Sequence, residues 1–370
     1  MNVATPEKNL PGGANQWRPT LGVRLQIAVG RRILRLSAVR ARLLHRRRAL
    51  QIDGRTLDPQ LQHMLWIQSL TRRPALHTLA VRKAREEYRL VRALMEDPID
   101  GLRVSDRTIE REVGAAVPVR VYEPSPGPET TPAVVFFHGG GGVIGDLETH
   151  DFVCRRLAKL ARCKLVAVDY RLGPEHPFPA GHDDAVAAFR GVVAQAEAWG
   201  IDPERVAVAG DSMGGNLSAA VCLACRDAPP CFALVIYPGT DFAGRTPSRD
   251  RLGEGLFLED ATIDWFHHHY LGGADPADPR ASVLRAEDLS GLPPMHVVTA
   301  GFDPLRDDGQ AFAEAVEAAG SPVEHREYPT LVHGFMQMAG ICDAAAEAFE
   351  HFAAVLQRAF ARGGDPSSGL

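Results

Sequence analysis

Residues 210–214 read Gly210-Asp211-Ser212-Met213-Gly214, a GxSxG pentapeptide between the apolar run RVAVA and the helical pattern NLSAAVCLA. Strand, tight turn and helix are the parts of a nucleophile elbow. Its serine takes a strained backbone conformation, and flanking side chains larger than glycine would strike the strand or the helix. The pentapeptide alone is a weak signal, so its surroundings matter. Upstream, AVVFFHGGGG sets His138 ahead of Gly139, Gly140, Gly141 and Gly142. A glycine run at a strand end lets backbone N–H groups converge on one point, as a tetrahedral oxyanion requires. A phosphate loop is disfavoured there, because no GK[ST] follows and the spacing is not GxGxxG. A histidine opening such a turn reads as a brace, not as a base.

A serine hydroxyl is a poor nucleophile unless an imidazole removes its proton and a carboxylate orients that imidazole. Asp303 follows the strand-like HVVTAG within FDPLRDDG, while Asp307 and Asp308 suit the first turn of the next helix. His333 lies in LVHGF, after the strand-like VEHREYP and before a C-terminal helix. Of the fourteen histidines it alone occupies a loop after a strand beyond the acid. His325 lies inside that strand. His267, His268 and His269 follow one another on a predicted helix, about 100° apart, and cannot all address one metal. Serine, acid and histidine therefore come in the chain order Ser212, Asp303, His333, each after its own strand.

These residues need a scaffold that presents strand ends side by side. Six short apolar runs read as buried strands: Val134–Phe137, Leu165–Asp169, Val206–Ala209, Ala233–Tyr237, His296–Ala300 and Val323–Tyr328. Helical patterns separate most of them, which predicts a mainly parallel sheet covered on both faces. RTIEREVG and VPVRVYEP alternate like a half-exposed antiparallel pair. Nearly sixty residues separate Tyr237 from His296, far more than a crossover needs, so an inserted subdomain over the site is expected. The first hundred residues read as helical, with a second helical stretch from about Asp58 to Met95.

The chain has 370 residues, 45% hydrophobic and 24% charged, with a net charge of −5. This is globular composition, which excludes wholesale disorder, collagen and coiled coil. No run reaches the ~18 apolar residues of a membrane span, and no secretory signal is evident, so a cytoplasmic protein is the default expectation. Of the six cysteines, Cys222 and Cys225 form a CxxC, but the segment reads as helix interior, and free buried thiols are expected. The charge is uneven: no acid stands between Glu7 and Asp53, whereas ten arginines do. Leu25, Val29, Ile33, Leu36, Val39 and Leu43 recur at helical spacing and predict one amphipathic leader helix, interfacial rather than spanning. An anionic membrane surface and the body of the enzyme itself fit such a helix about equally. Nucleic acid fits less well, since no aromatic-basic interleaving accompanies the charge.

Beyond about Arg107 the segments HGGGGVIGDLETHD, DYRLGPEHPFPAGHDDA, GDSMGGN, DPLRDDG and HGF together resemble the hormone-sensitive-lipase-like branch of the α/β-hydrolase esterases. The resemblance implies an α/β fold with a mostly parallel sheet of about eight strands flanked by helices and a helical cap. It implies Ser212 as nucleophile, His333 as base then acid, Asp303 as orienter, and an oxyanion hole from the N–H groups of Gly140, Gly141 and Met213. The expected division is a basic leader over 1–52, a first part of the cap over 53–106, core over 107–241, a cap insertion over 242–284, and core again over 285–370. Two positions depart from the family pattern. Gly142 stands where an aromatic is common, which should open one wall of the pocket, and Met213 stands where alanine is usual.

The expected activity is hydrolysis of short- to medium-chain carboxylic esters through an acyl-enzyme, with neither metal nor cofactor. The expected partner is a small ester. Homodimerisation and peripheral membrane contact through the leader are compatible with the sequence, and nucleic acid binding is not expected. An amidase or deacetylase with the same triad, a membrane-docked lipase, and a ligand-binding protein on the same scaffold are the alternatives.

Overall fold

The structure, a computed structural model, describes residues 20–35, 37–45, 49–71, 73–95, 99–111, 114–128 and 130–362. Ten strands are present among these residues. β1 (Gln51–Ile52) and β2 (Arg55–Thr56) form a small hairpin; the others are β3 (Leu102–Ile109), β4 (Val117–Pro124), β5 (Thr131–Phe137), β6 (Lys164–Val168), β7 (Ile201–Asp211), β8 (Ala233–Ile236), β9 (Met295–Phe302) and β10 (Val323–Val332). The eight longer strands make one sheet in the order β10-β9-β8-β7-β5-β6-β4-β3. β5 to β10 pair in parallel, and β3 and β4 add an antiparallel edge. All six buried runs and VPVRVYEP therefore fall on strands, whereas of RTIEREVG only Arg107–Ile109 does: β4 pairs residue by residue with Leu102–Ile109, so β3 starts earlier than expected, and residues 112 and 113 lie outside the described residues.

Eleven α-helices accompany them: α1 (Leu21–Leu34), α2 (Ala38–His45), α3 (Pro59–Thr71), α4 (Val81–Ala93), α5 (Asp151–Ala161), α6 (Ala180–Ala194), α7 (Met213–Ala224), α8 (Pro247–Leu252), α9 (Asp260–Leu271), α10 (Arg306–Ala318) and α11 (Asp343–Ala361). Successive side chains of a strand point to opposite faces, so a strand buried on both sides must be apolar throughout. In β5, Val134 and Phe136 join a core with Phe152, Leu157, Phe349 and Phe352 of α5 and α11. Ala133, Val135 and Phe137 face the other core, with Phe189, Leu217 and Phe312 of α6, α7 and α10.

From β5 the chain passes to β6 on one side and then returns to β7 on the other. The carboxyl ends of β5 and β7 thus border the crevice where the strand order reverses, the usual ligand position in open α/β sheets. Their register pairs Phe137 with Gly210, which sets the glycine run beside the GxSxG turn.

The N-terminal segment differs from the single amphipathic helix that its periodicity predicts. It breaks between α1 and α2, and the side that packs is not the predicted apolar stripe, a mismatch already present within α1. The inward side chains are Ile27, Leu34 and Ala41, whereas Val29, Ile33, Val39 and Leu43 are exposed. Arg31 fastens α1 to the end of α4, donating from Nε and Nη2 to the Ala93 carbonyl at 3.0 and 2.8 Å. The boundary expected between residues 52 and 53 falls inside the β1–β2 hairpin, whose Arg55 pairs with Glu327 of β10 at 2.6 Å. Among the described residues no helix is long and apolar enough to cross a membrane.

Candidate active site

Ser212 follows β7 and precedes the first residue of α7, with φ 56° and ψ −117°. This conformation is costly for a residue with a Cβ, and the turn around it leaves no room for side chains. A Cβ on Gly214 would lie 1.8 Å from the Phe137 carbonyl oxygen. Burial of Leu217, Val221 and their neighbours on α7 holds the strained turn against the sheet. The Ser212 N–H donates to the Ile236 carbonyl at 2.8 Å, tying the turn to β8.

Asp303, fully buried, stands directly after β9, and His333 directly after β10. His333 Nδ1 lies 2.8 Å from Asp303 Oδ2, and His333 Nε2 lies 2.9 Å from Ser212 Oγ. A carboxylate oxygen accepts, so Nδ1 carries the imidazole proton and Nε2 is left to accept from the serine. The other carboxylate oxygen, Oδ1, accepts from the Leu305 N–H at 2.8 Å, which prevents the acid from rotating. The Tyr237 ring sits 4.9 Å from the His333 ring, centroid to centroid, and limits its swing. Three segments distant in sequence thus meet within hydrogen-bonding reach, a geometry that can move a proton from a hydroxyl to an imidazole.

Gly140, Gly141 and Met213 line the same pocket as Ser212 and His333. Their N–H groups donate to no protein acceptor among the described residues. Gly140 takes φ 117°, and a Cβ there would fall 2.2 Å from the Ile144 carbonyl oxygen, so only glycine fits. Asp211 joins this loop to the serine turn. Its Oδ1 accepts from the Gly139 N–H at 2.9 Å and faces His150 Nε2 at 3.3 Å. Burial works to raise the Asp211 carboxyl, but His150 and the Gly139 amide outweigh it and hold it below the usual carboxylate range. His138 stacks on Tyr170, with ring centroids 4.4 Å apart, and its Nδ1 lies 2.8 Å from the Gly139 carbonyl. Burial and the neighbouring His150 push its imidazole down to about 4, so it is neutral at pH 7.

Several residues that hold the site were not singled out in the sequence. His150 meets the amide of Gln337, which in turn accepts from the Tyr88 hydroxyl at 3.0 Å. His150 lies in the segment HGGGGVIGDLETHD that carries the family resemblance, whereas Gln337 and Tyr88 carry no local signal. The open wall expected at Gly142 is not present. Tyr270 of α9 fills that volume: a Cβ on Gly142 would come 2.3 Å from Tyr270 Cδ2, and Tyr270 is only 1% exposed. Phe266, one turn earlier on the same helix, packs on Gly141 and lines the pocket.

The pocket has a volume of about 800 Å³. Ser212, His333 and residues of the glycine loop line it. Ile27, Leu34, Met64 and Ile67 from the N-terminal helices and Phe257, Phe266 and Leu258 from the β8–β9 excursion supply apolar walls. One group of three candidate metal ligands occurs among the described residues: His296, Glu324 and His351. His296 is seven residues before Asp303 along β9, roughly 23 Å away at strand rise. Arg326 Nη1, 3.3 Å from His351 Nδ1, sets a cation beside that group. The six cysteines are free thiols.

The family described as alpha/beta hydrolase fold matches residues 134–337. The carboxylic ester hydrolase LipN of Mycobacterium tuberculosis is 44% identical over 311 residues, covering 80% of this chain and 81% of its own. The ethyl acetate hydrolase of Pseudomonas putida is 38% identical over 294 residues, or 76% and 92% of the two chains. Among solved structures, the ester-hydrolase EH1AB1 from the metagenome of Lake Arreo, in complex with a bipyridine phosphonate derivative, superposes with a TM-score of 0.79. It is 40% identical, over 82% of this chain and 99% of that one. The chain belongs to the α/β-hydrolase fold, in its hormone-sensitive-lipase-like branch. It is an esterase-type hydrolase of the carboxylesterase kind.

Proposed function

We propose that the protein cleaves carboxylic esters by acyl transfer through Ser212. His333 takes the hydroxyl proton as Oγ attacks the ester carbonyl, and Asp303 holds the imidazole in the required tautomer. The N–H groups of Gly140, Gly141 and Met213 stabilise the oxyanion of the tetrahedral intermediate. His333 then passes its proton to the departing alcohol oxygen, and water, deprotonated by the same imidazole, releases the acid and restores the serine. The observation that carries this reading is the Ser212–His333–Asp303 chain of contacts at 2.9 and 2.8 Å, with Ser212 and His333 in the lining of an apolar pocket.

Short- to medium-chain acyl esters suit the walls. A cavity of about 800 Å³ lies within the ~300–1,000 Å³ range of small-ligand sites, and its lining offers an acyl chain apolar side chains from both the N-terminal helices and the β8–β9 excursion. Those two parts together act as the cap. Ser212→Ala tests the reading directly. It should lower turnover of a dissolved ester by about 10⁴-fold or more while the thermal midpoint stays near that of the parent. A phosphonate reagent should label Ser212 in the parent and nothing in the variant. Near-parental turnover by the variant would remove the serine from the mechanism.

A further inference from the structure

We propose that the exposed apolar face of α1, α2 and α3 docks on an anionic lipid membrane, with the acyl pocket bordered by the same helices. Every large hydrophobic side chain that stands exposed among the described residues belongs to these helices: Val29, Ile33, Val39, Leu43, Leu44, Trp66 and Leu70. Val39 is 70% and Leu43 68% exposed. Single exposed apolar residues are ordinary, but a set confined to one part of a molecule marks an interaction surface. Val29 and Ile33, Val39 and Leu43, and Trp66 and Leu70 are each four residues apart, so each pair shares a helix face. α1 and α2 both rest on α3, and Ile27, Leu34, Ala41 and Met64 supply the buried sides.

Charge selects the partner. Between Glu7 and Asp53 the chain carries eleven basic residues and no acid, although the whole protein has a net charge of −5. Arg32, Arg40 and Arg42 are exposed on α1 and α2, two of the three helices that carry the apolar set. A second copy of this chain would bring two such cationic faces together, and nucleic acid would leave the aliphatic side chains unmatched. An anionic bilayer satisfies both, with arginines at the headgroups and Val, Leu and Trp in the acyl boundary. Ile27, Gly30, Met64 and Ile67 of α1 and α3, together with Ile33 of the exposed set, line the pocket that holds Ser212, so the exposed face reaches that pocket. Docking therefore brings one wall of that pocket to the layer in which lipophilic esters dissolve.

The test is sedimentation of the full chain with phosphatidylcholine vesicles containing one-third phosphatidylglycerol, against phosphatidylcholine alone. The parent should partition strongly to the first and weakly to the second, and salt should reduce the difference. Arg32→Gln/Arg40→Gln/Arg42→Gln should weaken binding roughly a hundredfold, and Val39→Ser/Leu43→Ser/Leu44→Ser should abolish it. Both variants should hydrolyse a dissolved short ester at the parental rate, which reports the serine site independently of docking. Equal partition to the two vesicles, or binding that survives both variants, would overturn the proposal. So would a parental dimer that the serine variant converts to monomer without any vesicle binding.

Discussion

Replacing Asp303 by asparagine isolates the tautomer of His333 from everything else in the site. Asp303 is fully buried, and its two oxygens have different obligations: Oδ1 accepts from the Leu305 N–H at 2.8 Å, and Oδ2 faces His333 Nδ1 at 2.8 Å. In Asp303→Asn the side-chain oxygen must remain opposite the Leu305 donor, because an amide N–H there would meet another N–H in a buried place. The NH₂ group is then forced towards His333. Nδ1 becomes an acceptor, the ring proton moves to Nε2, and Nε2–H points at Ser212 Oγ across 2.9 Å. The serine faces a donor and has no base. Loss of the correct tautomer is worth about 10⁴ in kcat, or about 5.5 kcal/mol at roughly 1.4 kcal/mol per factor of ten. Volume and hydrogen-bond count hardly change, so the urea midpoint should move little. The assay is steady-state hydrolysis of a dissolved ester, paired with the rate at which a phosphonate modifies Ser212, and both rates should fall together. A variant within tenfold of the parent in both would show that Asp303 does not set the tautomer.

Two further substitutions test packing and charge. Gly142→Ala places a Cβ 2.3 Å from Tyr270 Cδ2 at a residue with φ 69°, so overpacking and left-handed backbone together should cost about 2–5 kcal/mol in urea unfolding. Combined with Tyr270→Ala, part of that cost should vanish, and strictly additive effects would refute the contact as its cause. Asp308 of α10 is buried, and burial pushes its carboxyl up to about 7, although the Thr240 amide and hydroxyl donate to it. Because its folded value lies above the ordinary 3.8, folding takes up a proton, and stability falls as pH rises from about 4 to about 7. Asp308→Asn has no proton to take up, so its stability relative to the parent should rise by about 2 kcal/mol between pH 5 and pH 7. Parallel curves would show that Asp308 is already ionised at pH 5.

The strands and the order of the site residues could be read locally because each depends on a short signal. An apolar run such as AVVFF needs only its own residues to declare a strand buried on both faces, and GDSMGG needs only the absence of a Cβ on each side of the serine. The β1–β2 hairpin had a signal too: Asp53-Gly54, with φ 53° and 73°, is the dipeptide preferred where two consecutive residues turn left-handed. Arms of two residues are too short for alternation to reveal them. The leader helices failed differently. Six apolar residues at helical spacing describe one stripe, yet within α1 itself Ile27 and Leu34 are buried while Val29 and Ile33 are exposed, so the stripe is not the side that packs. Which side is then covered is decided by α3 and α4, whose arrival no local periodicity records.

The same separation runs through the site. Ser212, Asp303 and His333 sit at strand ends, where the backbone alone brings them to one crevice. The volume beside Gly142 has no such backbone rule. A glycine there reads as a missing wall until α9, inserted between β8 and β9, delivers Tyr270 into the space. His150 is similar. Its place in the chain gives it no more claim on Asp211 than any other histidine has. The contact exists because α5 begins there, beneath the turn that carries Ser212, and because Gln337 and Tyr88 close round the ring. The groups proposed to act on substrate are therefore legible as motifs. The groups that hold them in place are chosen by whichever helix reaches the space, and a substitution on that helix, such as Tyr270→Ala, should disturb the pocket as much as one within the motif.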